Sequence, residues 1–266
     1  MGRAWGYWTV GKLDLLRDYL DAFTTASSSV RERIYLDAFA GVAENEERHT
    51  GREVEGSARI ALSIDGPPFT RLRFFELPKK APELEAALRA DHPDRDFLVI
   101  PGDCNHEVPA VLDQLKHIAW APTFAFVDPD GMEAEWRTLR ALADFRSGEK
   151  TKAELFLLFA APMFTRLLRV DGAAVRPEDE ATIDAMYGCE EWREIYRARL
   201  DGRIEPSDAR DDYLNLMRWR LETVLDYRWT HSLEIKNENG SPIYYMIFAT
   251  DHDAGTKIMS LSLIHI

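Results

Sequence analysis

The chain has 266 residues, 45% of them hydrophobic, which suffices for one large α/β domain with a well-buried core and requires no second domain. Its 33 basic and 46 acidic side chains leave a formal charge of −13, so no global basic field exists to hold a phosphate backbone, and only a local patch would serve nucleic acid. Cys104 and Cys189 lie far apart without CxxC or Cys/His ligand spacing, which suggests neither a disulfide framework nor a zinc site and makes a reducing cytoplasm the simplest compartment. The N-terminus carries no basic-then-apolar leader, and no apolar run approaches the ~18 residues of a membrane span.

From Trp8 to Phe23, apolar residues at Val10, Leu13, Leu16, Tyr19, Leu20 and Phe23 have helical spacing and predict a helix lying on a sheet. The first strand is expected over Arg33 to Phe39, followed by a long polar loop between Gly41 and Gly56, with Ser57 as N-cap of a helix through Leu62. A second strand ends at Glu76, and Ala81 to Ala90 reads as helix. Phe97 to Ile100 is the third strand, Val108 to Ile118 a helix, and Phe124 to Val127 the fourth strand. Trp136 to Phe145 supplies the next crossover helix, and Leu155 to Phe159 the fifth strand. This alternation of strand and helix is the doubly wound signature.

After the fifth strand, Ala161 to Leu225 reads as helices broken at Asp171-Gly172, Gly188-Cys189 and Pro206-Ser207, a helical insertion. Thr230 to Ile235 and Ile243 to Thr250 then flank Lys236-Asn237-Glu238-Asn239-Gly240-Ser241, where Asn-Gly favours the left-handed conformations of a hairpin turn. Five parallel strands closed by such a hairpin predict a Rossmann-like, class I methyltransferase sheet rather than a dehydrogenase sheet, in a single domain over residues 1–260. The last six residues, Leu261-Ser262-Leu263-Ile264-His265-Ile266, match the in-frame translation of a transposase adaptor end, so they are set outside the fold expectation and a longer natural chain is expected.

Four of the apolar runs break off at a carboxylate: Asp37, Glu76, Asp103 and Asp128. Runs apolar on both faces belong to strands covered by helices on both sides, and ligands of such sheets collect outside the strands' carboxyl ends. In Asp37-Ala38-Phe39-Ala40-Gly41 the glycine lets backbone approach a ligand and the acid accepts from an ammonium group. The fingerprint GxGxxG is absent, and Glu44, Glu46 and Glu47 would repel a pyrophosphate, whereas a sulfonium and ammonium suit an acidic mouth. Glu76 is placed to accept from both ribose hydroxyls, or is a solvated strand-end acid. In Gly102-Asp103-Cys104-Asn105 the Asp103 carboxylate can take an adenine amino group while Cys104 backbone flanks the ring, or the four residues form an ordinary turn. Asp128-Pro129-Asp130-Gly131 stands where amino-group methyltransferases carry [Asp/Asn]-Pro-Pro-[Tyr/Phe]; Asp128 and Pro129 then accept from the target amine, while the same residues are equally good turn chemistry.

These residues resemble the three-Cys-motif partner (TcmP) family. The likeness rests on Trp8-Thr9 with Lys12 and Tyr19, Tyr35-Leu36-Asp37-Ala38-Phe39-Ala40-Gly41, Gly56-Ser57 before Ile60-Ala61-Leu62, Phe75-Glu76, Gly102-Asp103-Cys104-Asn105, Phe126-Val127-Asp128-Pro129-Asp130-Gly131, and Phe248-Ala249-Thr250 with Lys257-Ile258-Met259. It covers nearly the whole chain. The resemblance implies an S-adenosylmethionine-dependent methyltransferase fold whose cofactor meets Asp37, Phe39, Gly41, Glu76, Asp103 and Cys104. It also implies a genomic neighbour with a three-cysteine motif similar to that of radical S-adenosylmethionine enzymes. This chain departs from the family at Gly41-Val42-Ala43, where Gly-Pro-Gly is usual, and at Asp130, where an aromatic is usual. The expected activity is therefore methyl transfer, with a nucleic-acid base amine as acceptor. The alternative is a weakly active or inactive partner subunit.

The remaining conspicuous residues read as structural. His49 and His106 are expected on the surface of loops near the site. Trp192, Trp219 and Trp229 with Tyr187, Tyr196 and Tyr213 are expected to pack the insertion. Arg193, Arg197, Arg199, Arg203 and Arg210 are offset by neighbouring acids into a mixed solvated face.

Overall fold

A computed structural model of the chain describes residues 4–5, 7–47, 53–170, 174–237 and 239–262. In chain order these form β1 (Ala4–Trp5), α1 (Tyr7–Ala26), β2 (Ile34–Asp37), β3 (Glu44–Glu47), β4 (Glu53–Glu55), α2 (Ser57–Leu62), β5 (Arg71–Glu76), α3 (Ala81–Asp91), β6 (Phe97–Pro101), α4 (Cys104–Gln114), β7 (Thr123–Val127), α5 (Trp136–Asp144) and β8 (Glu154–Phe159). The insertion follows as α6 (Ala161–Leu167), α7 (Pro177–Tyr187), α8 (Trp192–Leu200) and α9 (Pro206–Thr223). Strands β9 (Trp229–Lys236) and β10 (Pro242–Thr250) and helix α10 (Asp253–Ser262) end the described chain. Leu261 and Ser262 thus belong to the last helical turn, and residues 263–266 lie outside the described residues.

Seven strands make one sheet in the order β6-β5-β2-β7-β8-β10-β9. The first five are mutually parallel, and β10 runs antiparallel to both β8 and β9. Both faces of the sheet are apolar because both are covered. In β2, Ile34 and Leu36 join the core beneath α4, α5 and the insertion, while Tyr35 between them joins the core beneath α1, α2 and α10; β7 and β8 alternate the same way. The insertion shares the first of these cores through Ile183, Tyr187, Trp192, Tyr213 and Leu221, so it covers the β8–β10 end of the sheet as crossover helices cover the rest. Trp192, Tyr187 and Tyr213 are buried as expected, and Trp219 is half exposed.

Two local expectations are corrected. The polar stretch after β2 is not a plain loop: β3 and β4 pair antiparallel, and β1 adds to β3 in parallel, forming a separate three-stranded sheet. Alternation of apolar and polar residues, the usual strand signal, is missing from so acidic a segment. Ser57 is not the N-cap of α2 but its first residue, and Gly56 takes the cap position. A Cβ on Gly56 would lie 2.2 Å from the Val42 carbonyl oxygen, while the Gly56 N–H donates to the Ala43 carbonyl at 2.8 Å. The site of His49 lies outside the described residues.

The hairpin turn follows its expectation in Gly240, which has φ +75°. Asn237 Oδ1 accepts from the N–H groups of Asn239 and Ser241 at 3.0 and 2.9 Å, so a side-chain turn closes the loop. Helix α1 is fixed on the sheet by a buried carboxylate at the start of β8: the Tyr19 hydroxyl donates to Glu154 Oε2 and the Thr250 hydroxyl to Oε1, each at 2.7 Å. Lys12 lies two turns earlier on α1, roughly 10 Å away along the axis, and this brings it to the carboxyl ends of the strands.

Candidate functional site

The carboxyl ends of β2, β5, β6 and β7 open into one cleft of about 1210 Å³. Of the residues expected there, Phe39, Gly41, Glu76, Asp103, Cys104, Asp128 and Pro129 line it. Asp37 does not: it lies beneath the floor with 0% exposure. Met163 of α6, Thr182 of α7 and Tyr244 of β10 complete the walls, so the insertion and the antiparallel strand both contribute to the site. Six carboxylates (Glu76, Asp103, Asp128, Asp130, Glu133 and Glu135) line the cleft against two lysines, Lys12 and Lys80.

At one end the chain turns sharply after β2. Gly41 has φ +65°, a conformation that a side chain would strain. Its N–H donates to Glu76 Oε2 at 2.7 Å, and the Leu77 N–H donates to Oε1 at 2.8 Å. Glu76, 8% exposed, therefore ties the glycine turn to the end of β5, and each oxygen keeps a further lone pair for a ligand. Asp103 caps α4 by accepting the Asn105 N–H on Oδ1 at 2.9 Å. Burial, with Asp103, Glu135 and Glu133 nearby, pushes the Cys104 thiol up to about 12, so it is no nucleophile at neutral pH. His106 is exposed as expected, but it lies in the first turn of α4 and not on a loop, because that helix begins at Cys104.

Asn105, quoted in the sequence only as part of the segment after β6, supports the cleft wall structurally. Its amide donates to the Glu133 carbonyl at 2.8 Å, and its Oδ1 accepts from the Glu135 N–H at 3.0 Å and the Thr138 hydroxyl at 2.8 Å. It thereby fastens the loop after β7, which carries Asp128 and Pro129, to the helix after β6. Within that loop the Gly131 N–H donates to Glu133 Oε2 at 2.7 Å, and Asp130 is exposed. The chain bends here after β7, with Asp128 and Pro129 on the cleft wall.

At the opposite end Asp128 is met by a cation. Lys12 Nζ donates to Asp128 Oδ2 in an ion pair whose side chains are 7% and 18% exposed. The ammonium also lies 5.8 Å from the centroid of the Tyr244 ring, within cation–π range. The Tyr244 hydroxyl is buried without a hydrogen-bond partner, and burial, then the Asp128 charge, raises its pKa well above the usual phenol value. Lys12 was legible in one respect: it sits in register with Leu15, Leu16, Tyr19 and Phe23, so it is a charged residue on an apolar stripe.

Asp37 shares the neighbourhood without sharing the cation. Burial pushes its carboxyl from 3.8 up to about 7; Asp128 adds to the rise, while Ser57, the Phe39 backbone and Tyr35 counter it. Its Oδ2 accepts from the Tyr35 hydroxyl at 3.3 Å and its Oδ1 meets no donor.

No family model matches the chain, and no curated protein matches it in sequence. Among solved structures it is similar to protein LPL1258 from Legionella pneumophila str. Philadelphia 1, described by the family-model DUF519. The two share 12% identity over 94% of this chain and 89% of that one, with a TM-score of 0.53. At that identity the likeness concerns the fold alone: a mixed α/β chain built on a mostly parallel seven-stranded sheet. Among the described residues, no helix is long and apolar enough to cross a membrane.

Proposed function

We propose that the cleft binds S-adenosylmethionine and that the protein is a methyltransferase of the class I type. The observation that carries this reading is the convergence of Gly41, Glu76, Asp103 and Asp128, from four different parallel strands, on one cleft. The sheet order, with an antiparallel strand set between β8 and β9, supports the same subtype.

The residues present suit the cofactor. The turn at Gly41 keeps side-chain bulk away from an approaching ligand. The Glu76 oxygens have capacity for two ribose hydroxyls after their backbone bonds are counted, and Asp103 keeps an oxygen for an amino group. The excess of carboxylates over lysines suits a ligand bearing sulfonium and ammonium charges. When bound, that group supplies an activated methyl. The chain's own residues have the task of holding it and orienting an acceptor amine toward Asp128 and the Pro129 carbonyl. A nucleic-acid base amine is one acceptor that an Asp-Pro pair fits.

A second reading, a methyltransferase-fold subunit with little turnover working beside a three-Cys-motif protein, is favoured by Asp130. An exposed carboxylate stands there, where base-amine enzymes carry an aromatic ring to stack on the base.

Calorimetric titration with S-adenosylmethionine tests the site. Wild type should bind, and Glu76→Ala should bind about five- to a hundredfold more weakly, since it loses ~1 to 3 kcal/mol of ribose hydrogen bonds. Absence of binding by folded wild type would remove the enzyme reading for this chain. Binding without turnover on DNA, RNA or protein would favour the partner reading.

A further inference from the structure

The amine that the structure seats at the acceptor carboxylate belongs to the chain itself. Lys12 Nζ lies against Asp128 Oδ2 on the wall of the cleft, over the Tyr244 ring, with only 7% of its side chain exposed. It is no drifting surface lysine. Helix α1 holds it in register through Tyr19, whose hydroxyl is bound to buried Glu154, and the loop bearing Asp128 is held by Asn105. Both partners of the pair are therefore anchored from behind. Lys80, the other lysine of the cleft, is exposed at its rim and has no such seat.

We propose that Lys12 is a methyl acceptor, so that the protein methylates its own first helix. This rests on the reading of the cleft as an S-adenosylmethionine site. The balance is simple. The Lys12 ammonium gives one proton to the Asp128 carboxylate, which passes it to water. The freed Nζ lone pair forms the new N–C bond as the S–C bond of the sulfonium breaks, and that bond's electrons stay on sulfur as a neutral thioether. The product keeps its positive charge, so the ion pair with Asp128 and the contact with Tyr244 persist, with one donor fewer. An aliphatic amine needs no aromatic partner for stacking, which agrees with the carboxylate at Asp130.

The test is peptide mass spectrometry of the purified full chain, before and after incubation with trideuteromethyl S-adenosylmethionine, with cofactor binding measured by calorimetry on the same sample. The expected result is a methyl or trideuteromethyl increment on the peptide containing Lys12. Lys12→Arg, which keeps the charge and its partner, should show none, and Asp128→Asn should lower the rate by at least about tenfold. Acetic anhydride labelling without cofactor gives an independent readout. Lys12 should react at least about tenfold more slowly than Lys116, whose side chain is 73% exposed, and Asp128→Asn should narrow that gap. Cofactor binding with Lys12 unmodified overturns this proposal alone, as does Lys12 labelling as fast as Lys116. Failure of the folded wild type to bind the cofactor removes the site reading and this proposal together.

Discussion

The two ends of the cleft hold their carboxylates by opposite means. Glu76 is fixed by N–H groups of the backbone, from Gly41 and Leu77, whereas Asp128 is fixed by a side-chain ammonium delivered from α1. Between them, under the floor, Asp37 has neither a cation nor enough donors, and burial raises its pKa to about 7. Three acids at the ends of three neighbouring strands thus become an anchored acceptor, a counter-ion and a buried acid with a raised pKa. Their surroundings, and not their residue type, make the difference.

The largest effect that should sharpen this contrast comes from Asp37→Asn. The folded carboxyl titrates near 7 against 3.8 when exposed, so the folded chain binds the extra proton between those values. A raised folded pKa means that its stabilisation is full below about pH 4 and is lost as pH climbs to about 7. Asp37→Asn should therefore match wild type at about pH 4 and exceed it by up to ~4 kcal/mol at about pH 8 in urea unfolding. Equal stabilities at the higher pH would mean that Asp37 ionises without penalty.

Next comes Gly56→Ala, which strikes the end of the cleft built from backbone. The new Cβ would meet the Val42 carbonyl at 2.2 Å, and no flexible side chain is there to yield. A loss of roughly 3 kcal/mol is expected, with a lowered melting temperature. A change within experimental error would show that this turn adapts freely.

Lys12→Met addresses the end held by an ion pair. It strands the Asp128 charge in a part-buried setting, and the partial exposure of Asp128 softens the full cost of an orphaned buried charge. About 2 kcal/mol is expected, and Lys12→Arg should recover most of it. The smallest effect serves as a control: Arg197→Ala removes an ion pair with Glu194 whose side chains are 60% and 72% exposed. Its change should stay below about 0.5 kcal/mol and shrink further in high salt. If Lys12→Met cost no more than this control, the Lys12–Asp128 pair would hold its end of the cleft no better than a surface ion pair.

Much of the site was legible as pattern. Asp37, Glu76, Asp103 and Asp128 stand where apolar runs stop, and in a parallel sheet the stops share one edge; three of the four line the cleft, and Gly41, Phe39, Cys104 and Pro129 beside them line it too, while Asp37 does not. Lys12 left a fainter trace as a charge on an apolar stripe. Nothing local marked Tyr244 on β10, and Asn105, though part of the Gly102–Asn105 segment, gave no sign of its three bonds to residues 28 to 33 positions ahead.

The sequence by itself determined the seven strands of the main sheet, most helices, the insertion and the hairpin, because apolar periodicity and turn chemistry act over a few residues. Tertiary structure alone decided that β10 lies between β8 and β9, that the acidic stretch after Gly41 pairs into a small sheet with β1, and that Asp37 sinks beneath the floor. It also decided that Lys12 meets Asp128 across 116 positions of sequence. Such pairings depend on which surfaces are left to be covered once the sheet has closed, and no short window of sequence carries that information.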